Sequence, residues 1–196
     1  MNLTQTQRVG LFAVLALVMA ATRINHFGAL PDASWAVFFA AGFYLRGSAR
    51  WAFPLLMAEA VLIDFIVITH QGINFFDAYC VSAAYWFLIA AYGALWAGGS
   101  LAHRLYTGTN LHSLGTIALC LLGAVTVCHF VAQGSFYWLS ANVPARSLGG
   151  WIGNFADWYL PYLRTAAIYS AIGAVLHTAV VQLVRALPQP HHRDAH

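Results

Sequence analysis

The chain has 196 residues, of which 61% are hydrophobic and only 8% charged, with nine arginines, six acidic residues and no lysine. Soluble domains carry roughly 25% charged residues, so this composition, with a mean hydropathy of +0.68, belongs to an integral membrane protein. The +3 charge comes from scattered arginines, which argues against a nucleic-acid partner.

Six apolar segments follow in chain order: Val9–Thr22, Trp35–Leu45, Trp51–Thr69, Ala78–Ala97, Leu114–Gln133 and Trp158–Val184. A spanning helix needs ~20 apolar residues, fewer where neighbours cover its ends. The first segment, after Arg8 and ending near Ala20–Ala21, has the outline of a signal peptide, but five further spans favour a retained helix. Ala13, Ala16 and Ala20 line one of its faces, and Ala16 with Ala20 makes a small-xxx-small pair suited to close helix approach. The second segment is short, and Leu30–Trp35 either begins it or forms a re-entrant loop. Residues 1–187 thus read as one all-α, six-helix membrane domain, and 188–196 as a short polar tail, disordered rather than metal-binding despite its histidines.

Arginine sets the orientation. Arg8, Arg46, Arg50, Arg104, Arg185 and Arg193 fall on one side of the spans and Arg23, Arg146 and Arg164 on the other. The positive-inside rule then puts both termini in the cytoplasm and turns connections 23–34, 70–77 and 134–157 outward.

Those outward connections collect Asn25, His26, Phe27, Asp32, His70, Gln71, Asn74, Asp77, Gln133, Asn142, Arg146, Asn154, Asp157 and Trp158. An amide- and aromatic-rich rim over a small bundle fits an outward pocket for a large ligand, although wet loops are polar and Trp and Tyr favour membrane interfaces in any case.

Within FFDAYCVSAAYW, Asp77 is the expected N-cap of the fourth helix, Ala78, Tyr79 and Cys80 its first three residues, and Phe76 and Val81 a hydrophobic staple. A cysteine in a first helical turn has its thiolate favoured by the helix dipole, and such a thiolate is a nucleophile and soft metal ligand. Asp77 opposes that charge, and a bound metal centre would outweigh Asp77. Asp77, Cys80 and Ala84 would share a helical face, with Tyr85 off to one side. The plainer alternatives are burial as a small hydrophobe, which suits Cys120 and Cys128, or a Cys80–Cys128 disulfide.

Ionisable residues in the spans need partners. Asp64 and Arg164 are expected to pair beneath the pocket, or to touch ligand; Glu59 lies nearer mid-membrane, and His129 and His177 are further buried candidates. A phosphate-binding GxxxxGK[ST] loop, an HExxH zinc motif and a GxSxG elbow are all absent, so ATP hydrolysis by a P-loop and those two hydrolase chemistries find no support.

Six short-looped helices, the alanine face on the first, and the run ATRINHFGALPDASWAVFFAAGFY resemble the substrate-binding S-components of energy-coupling-factor (ECF) vitamin transporters. The lone cysteine in FFDAYC resembles that of BtuM, their cobalamin-specific branch, and the likeness covers residues 8 to 185. It implies cobalamin (vitamin B12) uptake across the bacterial cytoplasmic membrane, with Cys80 as axial cobalt ligand and an outer-face site drawing on Asn25, His26, Phe27, Asp64, Asn74, Phe76, Asp77, Tyr79, Tyr85, Arg146, Asn154 and Trp158. It also implies decyanation of cyanocobalamin assisted by Cys80, and either an ECF ATPase module docked on the Ala13/Ala16/Ala20 face or solitary operation. Two other readings stay open: an S-component for a different vitamin or small molecule, and a membrane redox protein holding haem through His26, His129 or His177.

Overall fold

A computed structural model describes residues 3–24, 31–78 and 81–186, and every regular element among them is helical. The helices are α1 (Gln5–Arg23), α2 (Ser34–Tyr44), α3 (Ala49–His70), α4 (Leu88–Leu105), α5 (Leu111–Leu139) and α6 (Leu148–Ala186), with short 3-10 turns at Arg46–Ser48, Phe75–Asp77 and Ala83–Phe87. Four stretches are long and apolar enough to cross a membrane: Gln5–Arg23, Arg46–His70, Leu111–Leu139 and Leu148–Ala186. Six α-helices thus stand among the described residues, four of them within these long apolar stretches. The polar tail, 188–196, lies outside the described residues.

Local chemistry sets the helix ends. Thr4 and Gln7 form a reciprocal capping box at the start of α1, with Thr4 N to Gln7 Oε1 at 2.9 Å and Gln7 N to Thr4 Oγ1 at 3.3 Å. α3 closes in a Schellman arrangement: Gly72 at φ +76° supplies the left-handed residue, its amide reaches Thr69 O, and Ile73 N reaches Ile68 O. Asn110 caps α5 through Ser113 N at 2.8 Å.

α2 is the hub. Eight of its 11 residues are buried, and Phe38 and Ala41, with Leu45 just past its end, are almost wholly inaccessible. It rises only about 16 Å, half of a hydrocarbon layer, and protein rather than lipid surrounds it. Against it lies α4, and the two backbones touch at glycines: a Cβ on Gly42 would overlap the Trp96 carbonyl, and one on Gly99 the Phe39 carbonyl. Ser100 fastens the same crossing by donating to Gly42 O at 3.0 Å. Phe38 stacks on Tyr92 with centroids 4.5 Å apart.

α6, at 39 residues, extends for nearly 60 Å by helical rise, and Ala166 alone is buried among its described residues. It begins at Leu148 rather than Trp158, so much of the expected 134–157 loop is helix. Its first half is bound to α5: Asn154 Nδ2 donates to Gln133 Oε1 at 2.9 Å, Tyr159 and Thr126 hydroxyls lie 2.7 Å apart, and the Phe155 carbonyl meets His129. Further along, His177 holds Tyr44 of α2 through Nδ1 at 2.9 Å and Tyr106 through Nε2 at 3.0 Å. Between these regions α6 stands off from α5, leaving an apolar cavity of about 380 Å³ bounded by α2, α5 and α6.

Candidate functional site

The end of the bundle that the arginine pattern turns outward is organised by a residue the sequence reading passed over. Arg23, the last residue of α1, is 6% exposed. Its Nε and Nη2 donate to the two oxygens of Asp64, both at 2.7 Å, in a bidentate pair. Its Nη1 donates to Asp32 Oδ2 at 3.0 Å, Ser34 Oγ at 3.0 Å and Tyr92 OH at 3.2 Å. Ser34 in turn donates from its amide and hydroxyl to Asp32 Oδ1, and Tyr85 OH donates to Asp64 Oδ2 at 2.7 Å. One guanidinium thus joins α1, the entry to α2, α3, α4 and the Ala83–Phe87 turn. With both carboxylates ionised, the cluster carries one net negative charge.

The Asp64–Arg164 pairing is therefore overturned. Asp64 is taken by Arg23, whereas Arg164 is exposed on α6 and belongs to neither ion pair found among the described residues. Fork geometry explains the choice, since Arg23 offers Asp64 two parallel bonds from a helix end that already faces it. The sequence held one clue: Arg23 stands on the side that should be poor in arginine.

Beneath this cluster lies an aromatic wall. Trp35 stacks on Tyr162 with centroids 4.7 Å apart, and Phe155, Tyr159 and Tyr162 surround the fully buried His129. Because the Phe155 carbonyl only accepts, His129 Nε2 carries the proton of their 3.0 Å bond, which leaves Nδ1 as a buried acceptor with no partner among the described residues. His177 has both nitrogens occupied by tyrosines, so neither is free for a haem iron. Among the described residues, no group of three His, Cys, Asp or Glu side chains is arranged to hold a metal ion.

The stretch that drew attention in the sequence folds differently from the expected helix start. Asn74 Oδ1, not Asp77, is the capping acceptor here, bonding Phe76 N at 3.0 Å; Phe75–Asp77 is a 3-10 turn, and Ala78 is extended. α4 begins at Leu88 instead of Ala78, which removes the Asp77 cap, the Phe76–Val81 staple and the helical face shared by Asp77, Cys80 and Ala84. The first-turn dipole argument for Cys80 goes with them. Ser82 explains the delay, because its hydroxyl accepts Ala84 N at 3.2 Å and starts a second 3-10 turn. Tyr79 and Cys80 themselves lie outside the described residues, as do Asn25, His26 and Phe27. Their flanks are defined: Val81 N returns to Ala78 O at 2.9 Å, and Phe75 lies between Phe65 and Tyr85, at 5.5 and 6.1 Å.

Of the remaining expected site residues, Asp64 and Tyr85 come together, whereas Asn154 is occupied with Gln133 and Arg146 donates from Nη2 to Ser140 O at 2.8 Å, bracing its own loop. Phe76 is 79% exposed and Trp158 51%, so both are accessible. Cys128 is a free thiol with no exposed surface, which removes the Cys80–Cys128 disulfide; Cys120 is also free. Ala16 of the alanine face packs against the core, while Ala13 is exposed. No protein-family model matches the chain, and no curated protein does.

Proposed function

We propose that the chain binds cobalamin at the outer end of its bundle and carries it across the cytoplasmic membrane, with Cys80 as axial ligand to cobalt. The observation that supports this most is the interruption of helix between His70 and Leu88, where two 3-10 turns flank the cysteine. Connections held on a rigid scaffold carry binding residues disproportionately, and this one joins α3 to α4 at the end of the bundle that Arg23 organises. Tyr85, five residues beyond the cysteine, is tied down by Asp64 and Arg23, so this end of the segment is anchored.

A soft thiolate suits a cobalt centre, and the metal's own charge favours deprotonation of Cys80. Decyanation then follows as ligand exchange: sulfur donates an electron pair to cobalt, and cyanide leaves with the pair of its former bond. Exposed Phe76 and Trp158 offer aromatic surface to the corrin. Reorientation of the bundle would release the ligand inward, driven by an ATPase module on the exposed side of α1 around Ala13 or by the ligand gradient alone.

The test is the visible spectrum of purified wild type and Cys80→Ala after mixing with cyanocobalamin and removing free ligand. Wild type should retain a shifted cobalt band and the variant should not. Equal retention with identical spectra would remove the ligation; no colour in either would favour an S-component for another vitamin.

A further inference from the structure

The opposite end of the bundle has a concavity of about 360 Å³ where the start of α1, the α2–α3 turn and the end of α4 converge. Arg8, Arg46 and Arg104 line it, together with His103, Ser48 and Ser100. The three arginines come from three separate elements, so the fold gathers them. No carboxylate lines the pocket, and both ion pairs among the described residues belong to Arg23. His103 Nδ1 is buried in the same wall without a hydrogen-bond partner among the described residues.

Three guanidinium groups around one hollow, with no carboxylate in its wall, call for an anion. Arginine's fork matches phosphate oxygens bidentately, and the hollow is in the ~300–1,000 Å³ range of small-ligand sites. Tyr44 forms part of this wall and also of the apolar cavity between α2, α5 and α6. A polar hollow and an apolar one sharing a residue at the end of a bundle of long apolar helices suit an amphiphile. We propose that this pocket binds the phosphate of an anionic lipid headgroup, with an acyl chain free to enter the apolar cavity. Basic pockets between transmembrane helices hold such headgroups in this way. The site is distinct from the cobalamin reading and does not depend on it.

Native mass spectrometry of the delipidated full chain, offered phosphatidylglycerol and phosphatidylcholine with identical acyl chains, tests the proposal. Wild type should retain phosphatidylglycerol preferentially, and Arg46→Gln and Arg104→Gln should each lower that preference about fivefold. Arg46→Lys, which keeps the charge but loses the fork, should lower it less than Arg46→Gln does, and Arg185→Gln, exposed on α6 outside the pocket, should behave as wild type. Equal preference in wild type and the Arg46→Gln/Arg104→Gln double variant overturns the site. A parallel arm measures thermal unfolding with inorganic phosphate. Protection that depends on Arg46 and Arg104, without selective retention of phosphatidylglycerol, overturns the lipid assignment in favour of free phosphate.

Discussion

Arginine has opposite roles at the two ends of this molecule. Arg23 is enclosed and held by two carboxylates, a serine and a tyrosine, whereas Arg8, Arg46 and Arg104 converge on an open hollow with no carboxylate in its wall. The difference shows that scarcity of acid is itself structural. With six acidic residues in the chain, two of them given to one guanidinium, there is little negative charge left for the other end. At one end the arginine's charge is more than matched by its carboxylates; the other is left with positive charge to offer.

Removing the buried cation should have the largest effect. Arg23→Ala leaves Asp64 and Asp32 facing each other without a counter-charge and should cost about 3–5 kcal/mol, read as a fall in the unfolding midpoint in detergent. Arg23→Met with Asp64→Leu should cost clearly less than Arg23→Ala alone; equal loss would mean that the ion pair is not what stabilises this end. Next comes the crossing that holds the two ends in register: Gly99→Val pushes a side chain into the Phe39 carbonyl and should destabilise by roughly 1–3 kcal/mol or more, while Gly93→Ala, in open space on the same helix, should change little. Tyr85→Phe removes a donor to an ionised carboxylate and should cost about 1–2 kcal/mol, with weakened cobalamin retention if the anchored segment carries the ligand. Smallest in stability is Arg46→Gln, expected within ~0.5 kcal/mol because the side chain is exposed. A large loss of stability there would show that the cationic hollow is part of the scaffold instead of a place for a ligand.

The apolar runs made the helices legible, and the starts of α1, α2 and α3 fall close to their expected positions because length and hydropathy suffice there. The start of α4 did not, since AYCVSAAYWF is as apolar as a helix and only the Ser82 hydroxyl reveals that the backbone is still turning. The start of α6 was obscured by Gly149 and Gly150, which read as loop but continue the helix. The Arg23 network was out of reach for a different reason. Its partners stand 9, 11, 41 and 69 residues away, and spacing along a sequence carries no information about which of three outward arginines turns inward. Asp64 and Tyr85 were singled out separately; their bond could be seen only once α3 and the turn before α4 were in place.

The burial of α2 bears on what holds it in place. A helix of 11 residues is too short to be taken up alone as a membrane crossing, and its polar ends are satisfied by Ser34 with Asp32 on one side and by the Leu45–Ser48 turn on the other. Its burial is supplied by α1, α3, α4 and α6, so what keeps α2 in place is the assembled bundle and not its own hydropathy.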